Sequence, residues 1–173
     1  MKNYMPKIVV ALVMTTLIIA SAISISQADI AVGKKAPDFS MRSVSGGSDI
    51  KLSSFTDKPT LLVFYASWCP HCQKEAPTLQ RLYTELGPKG LNVVGVDVDQ
   101  QISDAQSFVK TYRISFPVAH GNPSAHSSTL DTYGISGVPT VYVLDKGGIV
   151  KHVYKGEAAE GTLKKDLAEL GVK

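Results

Sequence analysis

Cys69-Pro70-His71-Cys72 is the stretch of this chain whose residue types and spacing could do chemistry, and it holds the only two cysteines. On the first turn of a helix, residues three apart share one face about 5 Å from each other, within the Cα separation that a disulfide tolerates. Such a pair could open and close with little backbone movement. The partial positive charge and unpaired N–H groups of a helix N-terminus favour thiolate over thiol. A thiol whose pKa falls from about 8.5 to about 7 goes from ~3% to ~50% ionised at neutral pH. Two other uses of the pair compete. As a structural staple, a disulfide closing four residues stabilises by only about 2 kcal/mol, against about 4.7 kcal/mol for a 100-residue loop. As half of a zinc knuckle, the pair lacks a second C-x2-C or an H-x3-H to complete four ligands; the only histidines are His71, His120, His126 and His152. The spacing favours redox chemistry.

The elements that must position the pair are legible around it. Leu61-Leu62-Val63-Phe64-Tyr65-Ala66 is a near-continuous apolar run, which predicts a central strand covered on both faces and ending at the cysteines. Apolar residues then recur at helical spacing at Ala76, Leu79, Leu82, Tyr83 and Leu86 until Gly87-Pro88, with Pro77 expected to kink the helix. Leu91 to Val98 predicts a second strand. Ile102, Ala105, Phe108, Val109 and Tyr112 mark a second helix, and together these elements imply a parallel βαβ unit. Phe116 to Ala119 predicts a short strand, followed by a polar loop from His120 to Ser128 and a short helix ending near Gly134. Pro139 to Leu144 and Ile149 to Tyr154 flank Lys146-Gly147-Gly148 as a hairpin, and Leu163, Leu167 and Leu170 mark a closing helix. Upstream, Asp38 to Leu52 reads as a β-hairpin about Gly46-Gly47, with a helical turn at Ser53-Ser54-Phe55.

Residues 1–28 read as an export segment. Lys2 and Lys7 form a basic head, Ile8 to Ile25 is uncharged and mostly apolar, and Ser26-Gln27-Ala28 offers a small-x-small cleavage site. The apolar stretch is 18 residues, longer than the roughly 7 to 15 of a signal core and close to the ~20 that span a bilayer, so an uncleaved anchor is the alternative. Either way residues 29–173, one domain of 145 residues, are expected to face the outside of a membrane. The chain has 18 basic and 15 acidic side chains; without Lys2 and Lys7 the basic count is 16, a net charge of +1 that gives no sign of nucleic-acid binding.

Three motifs resemble the thioredoxin superfamily, and within it the exported TlpA/ResA-like thiol-disulfide proteins. They are Ala66-Ser67-Trp68-Cys69-Pro70-His71-Cys72, the continuation Cys72-Gln73-Lys74-Glu75-Ala76-Pro77, and Tyr133-Gly134-Ile135-Ser136-Gly137-Val138-Pro139-Thr140. The opening Val32-Gly33-Lys34-Lys35-Ala36-Pro37-Asp38-Phe39 is shared more widely, with redoxins and peroxiredoxins. The resemblance covers about residues 32 to 171. It implies an α/β, thioredoxin-like fold, a central mixed sheet flanked by helices, here with an N-terminal β-hairpin extension. It further implies that Cys69 is the solvent-facing attacking thiolate and that Cys72 is the resolving thiol, the two forming the redox disulfide. Pro139 would follow a cis peptide bond, and Val138 would offer its backbone to an extended substrate strand, with Trp68 and Pro70 at the docking rim. Glu75 matches an acidic residue thought to relay protons for the thiols; the alternative is a solvated helix glutamate. Ordinary thioredoxins carry a buried aspartate six residues before the first cysteine, where this chain has Val63.

His71 departs from the TlpA/ResA pattern. Cys-Pro-His-Cys resembles periplasmic dithiol oxidases, in which an imidazole favours the thiolate and makes the disulfide more oxidising. Those oxidases carry a helical insertion of about 60 residues that this chain lacks. The leading expectation is thus a thiol-disulfide oxidoreductase acting as a reductant on protein thiols and disulfides, for example in cytochrome c maturation, with a membrane thiol-disulfide electron donor and no organic cofactor or resident metal. A dithiol oxidase or isomerase is the first alternative. A peroxiredoxin-like peroxidase is the second, although Ala66 stands where a peroxide-binding threonine or serine is expected. A copper-binding module using the thiols is the third. Asp97 and Asp99 are expected to cap a helix in solvent, His120 and His126 to be solvated in a loop, and His152 to face water.

Overall fold

The structure, a computed structural model, describes residues 30–173; the expected export segment or anchor at residues 1–28 lies outside the described residues. The strands are β1 (Ser40–Met41), β2 (Ile50–Lys51), β3 (Thr60–Tyr65), β4 (Asn92–Asp97), β5 (Val118–His120), β6 (Thr140–Leu144) and β7 (Val150–Lys155). The helices are α1 (Pro70–Leu86), α2 (Ile102–Thr111), α3 (Pro123–Thr132) and α4 (Glu160–Glu169).

Every residue of β3 is buried, because the alternation of a strand sends Leu61, Val63 and Tyr65 to one face and Leu62 and Phe64 to the other. The first set packs with Leu79 and Leu82 of α1, Phe108 of α2 and Leu163 and Leu167 of α4. The second packs with Val94, Val96 and Tyr142 of the sheet, Leu130 and Tyr133 from α3 and its end, and Phe39, Met41 and Ile50 of the N-terminal segment. Both faces of the five-stranded sheet are therefore covered, which is why β3 carries no polar alternation. Strand order is β5-β4-β3-β6-β7, with β3, β4 and β5 parallel and β6 and β7 antiparallel.

β1 and β2 pair antiparallel as a separate two-stranded sheet, the N-terminal hairpin extension. The segment between them also closes the edge of the main sheet. Ser43 bridges Ala119, Val44 N–H donates to Val118 O, and His120 N–H donates to Arg42 O. A covered edge is protected from pairing with another chain.

One local expectation is corrected. The stretch after His120 is not a long loop: His120 ends β5, and α3 begins at Pro123 because Asn122 caps it, its side chain accepting from Ser124 N–H at 2.8 Å. That helix leaves helical geometry only at His126 (φ −124°, ψ 22°). Helix α1 runs as one element through Pro77.

Gly121, just past β5, is a position where any side chain would collide. A Cβ there would lie 2.8 Å from Val96 Cγ1, 3.3 Å from Asp97 O and 3.3 Å from Met41 Sδ. Gly121→Ala is expected to destabilise the fold by about 1–3 kcal/mol, as overpacking of a filled interior does. Urea denaturation measures this; an unchanged midpoint would show that the β5 end yields freely.

Candidate active site

Cys69 is the N-cap of α1, with extended backbone (φ −85°, ψ 115°), and Pro70 follows at the first helical position. Proline suits that position because its φ is preset and its missing N–H would have had no helical partner. Cys69 Sγ accepts from Cys72 N–H at 3.3 Å, so a thiol takes the place that a serine or aspartate oxygen has at most helix starts. Both cysteines are free thiols and both are buried, at 4% and 3% exposure. The expectation of a solvent-facing Cys69 is thus corrected. The loop before Pro139 lies over it, and the Cys69 thiol donates to Val138 O at 3.3 Å. The Val138–Pro139 peptide bond is cis.

Burial pushes the Cys72 thiol up, and its hydrogen bond with Cys69 and the nearby Glu75 act in the same direction. Cys72 therefore keeps its proton at neutral pH unless a base takes it. One helical turn on, Glu75 is buried at 4% exposure, not a solvated helix glutamate. Its Oε1 accepts from Ala158 N–H at 2.9 Å. Burial raises its carboxyl from an ordinary 4.5 to about 7; the Ala158 N–H opposes the rise, and Glu157 adds to it.

His71 is exposed, and its Nδ1 lies 2.6 Å from Glu157 Oε1; Lys74 Nζ lies 2.7 Å from the other oxygen of the same carboxylate. Hydrogen bonds from Lys74 and then His71 hold Glu157 below the usual carboxylate range. Trp68 is 68% exposed. It forms one rim of a groove of about 420 Å³ whose walls include Val98, Pro123, Leu130, Ile135 and Val138.

Asp97 and Asp99 do not cap α2 in solvent, since both are almost wholly buried and Gln101 is the residue at that helix start. Asp99 accepts from Ser67 N–H at 3.0 Å, and Gln73 Nε2 donates to Ser67 O at 2.8 Å, so the residue before Trp68 is held from both sides. His120 is buried too, its Nδ1 3.0 Å from Asp97 Oδ2. Burial raises Asp97 to about 9, with Asp99 adding, and lowers His120. Burial thus favours the neutral form of each partner. His126 is partly buried, and His152 is half-buried, stacked on Tyr154.

The sequence reading did not include Glu157 and Ala158, which meet α1 from the β7–α4 loop across 86 and 83 positions of chain. Nor did it include Asp99 as the anchor of Ser67. Periodicity reports which face of an element is buried, and carries no signal for a contact between distant loops.

A mixed sheet with this topology, and a close cysteine pair at the start of the helix after its central strand, define a thioredoxin-fold thiol-disulfide oxidoreductase. The chain belongs to the AhpC/TSA family, whose model matches residues 32–153. It is 33% identical over 139 residues to thiol-disulfide oxidoreductase ResA of Bacillus thuringiensis subsp. konkukian, a match that covers 80% of this chain and 78% of that protein. Among solved structures it is similar to a thiol:disulfide interchange protein of the thioredoxin family from Chlorobium tepidum (TM-score 0.71, 29% identity, 83% of this chain and 99% of that one). It is also similar to MTB dsbF, solved in mixed oxidised and reduced forms (TM-score 0.66, 27% identity, 76% and 94%).

Proposed function

We propose that this protein reduces disulfides of exported proteins, for example in cytochrome c maturation, from a position outside the cytoplasmic membrane, and is recharged by a membrane thiol-disulfide donor. Residues 1–28 serve it as a signal peptide or anchor, and residues 29–173 as the working domain. The observation that carries the reading is the dithiol itself, with Cys69 at the helix N-cap against the Val138 carbonyl and Cys72 one turn from a buried carboxyl near neutrality.

In the proposed cycle the Cys69 thiolate attacks a partner disulfide and forms a mixed disulfide. Cys72 then attacks Cys69 Sγ, releasing the partner as a thiol and leaving the Cys69–Cys72 disulfide. Glu75 takes the Cys72 proton. Trp68, Pro70, Val138 and Pro139 receive the partner strand, and the Val138 carbonyl that binds the resting thiol becomes available to the partner backbone. His71 would pull the couple toward oxidation, but the carboxylate of Glu157 lies 2.6 Å from its ring and opposes that effect. This contact supports a reductant over a dithiol oxidase. Ala66, buried and without a hydroxyl, gives no support to peroxide chemistry.

The reduction potential of the couple, measured by equilibration with glutathione or dithiothreitol buffers, tests the direction. A value near that of thioredoxin, about −270 mV, is expected; one near that of DsbA, about −120 mV, would make the protein an oxidant.

A further inference from the structure

Among the described residues, three buried side-chain oxygens have no hydrogen-bond partner: Tyr65 Oη, Glu75 Oε2 and Asp97 Oδ1. Native interiors pair nearly all such atoms, so each one needs an explanation. Two of the three belong to residues that line a single small cavity, and Cys72 lines it as well. Apolar side chains of β3, α1 and α2 make up most of the remaining wall. The cavity measures about 10 Å³, room for the centre of one water. A void with only apolar walls of that size stays dry, whereas this one offers a hydroxyl, a carboxyl oxygen and a sulfur, the two to four polar partners that a buried water needs.

We infer that one water molecule is held between Tyr65 Oη, Glu75 Oε2 and Cys72 Sγ, that it carries the Cys72 proton to and from Glu75, and that Tyr65 is the positioning residue which orients it. The inference rests on the proposed exchange cycle and adds to it the route of the proton. Glu75 Oε1 is committed to Ala158 N–H, which leaves Oε2 for the cavity. The Tyr65 ring is fixed by stacking on Phe108, centroids 4.8 Å apart at 28°. Burial, with Asp97 and Asp99 beyond it, raises the phenol so far that the hydroxyl remains a donor across the working pH range. By donating to the water oxygen beside the Cys72 thiol, Tyr65 turns a water hydrogen toward the Glu75 carboxylate.

The step starts from the mixed disulfide on Cys69. The Cys72 thiol gives its proton to the water, and the water gives one of its own to Glu75 Oε2. Cys72 sulfur then forms its bond to Cys69 Sγ as the bond from Cys69 to the partner sulfur breaks. The partner leaves with that electron pair as a thiolate and takes a proton from solvent. The protein is oxidised by two electrons and the partner disulfide is reduced by two.

Tyr65→Phe removes the hydroxyl and keeps the ring. Stopped-flow mixing of the reduced protein with a small disulfide separates the second-order attack by Cys69 from the first-order resolution by Cys72. Resolution is expected to slow about tenfold, attack to stay at the wild-type rate, and the pH midpoint of resolution to rise above that of the wild type. The midpoint rises because the water, no longer oriented by Tyr65, donates less well to the charged form of Glu75. The groups that otherwise face Glu75 are Cys72 on its own helix and Glu157 and Ala158 N–H from the β7–α4 loop. A purely structural tyrosine would lower stability without moving that midpoint. A high-resolution crystal structure of the reduced wild type should show the water within hydrogen-bond distance of all three atoms, whatever the folding yield of the variant. A dry cavity, or a Tyr65→Phe protein with the wild-type resolution rate and midpoint, would overturn the inference. A wild type that does not exchange through Cys69 at all would instead remove the proposed function.

Discussion

Cys72→Ser is expected to arrest the protein as a covalent adduct with its partner, whereas Cys69→Ser abolishes exchange, lowering turnover by roughly a thousandfold or more. The two outcomes differ because the two sulfurs occupy different places. Cys69 caps α1 and touches the Val138 carbonyl, the surface proposed to receive a partner strand. Cys72 lies deeper, on the cavity side, beside Glu75. A serine at position 72 leaves the Cys69 attack intact but removes the only nucleophile near enough to release the partner. A serine at position 69 retains the helix cap, so the fold should survive the loss of activity. Non-reducing electrophoresis and intact-mass measurement after exposure to a protein disulfide will show the adduct for Cys72→Ser and none for Cys69→Ser. Full exchange by Cys69→Ser would refute the assignment of the attacking sulfur.

What could be read from sequence and what could not divides along a physical line. The covered central strand, the helix after it and the final hairpin were legible because burial imposes periodicity, and Leu61 to Ala66 or Leu79, Leu82 and Leu86 carry it locally. The cysteine pair was legible because its chemistry needs a fixed short spacing. The environment of that pair was not. Whether Glu75 is solvated or buried depends on Ala158, 83 positions away, closing over it. Asp97 and Asp99 looked like solvent-facing caps because short acidic side chains usually are. Both are buried instead: Asp99 accepts from Ser67 N–H, and His120, brought alongside by the β4–β5 pairing, meets Asp97. Cys69 looked exposed because helix N-termini usually are, and the Val138–Pro139 loop covers it. In each case the local rule gave the commonest environment, and a contact between distant segments replaced it.

Glu75→Gln is expected to make the protein both more stable and slower, in a way that depends on pH. Glu75 is raised from 4.5 to about 7 in the fold by burial. Below about pH 4.5 the carboxyl is protonated whether the chain is folded or not, and the charge has no cost. Between about 4.5 and 7 the unfolded chain gives up a proton that the native one keeps, so stability falls as pH rises, and the loss is complete above the folded value. A rise of this size corresponds to roughly 3 kcal/mol. Glutamine has no such titration, and its amide oxygen can still accept from Ala158 N–H. The variant should therefore match the wild type near pH 4 and exceed it by up to about 3 kcal/mol at pH 8. Over the same range Cys72 loses its proton acceptor, so resolution of the mixed disulfide should fall by about a hundredfold at pH 8 and lose its step near pH 7. Urea denaturation and single-turnover exchange from pH 4 to 8.5 measure the two effects together. Parallel stability curves for the two proteins would show that Glu75 titrates as an ordinary carboxylate and cannot be the base. The opposed signs are what a buried functional carboxyl requires: desolvation that makes the charged form costly is what brings its pKa close enough to neutrality to take a proton from a thiol and return it.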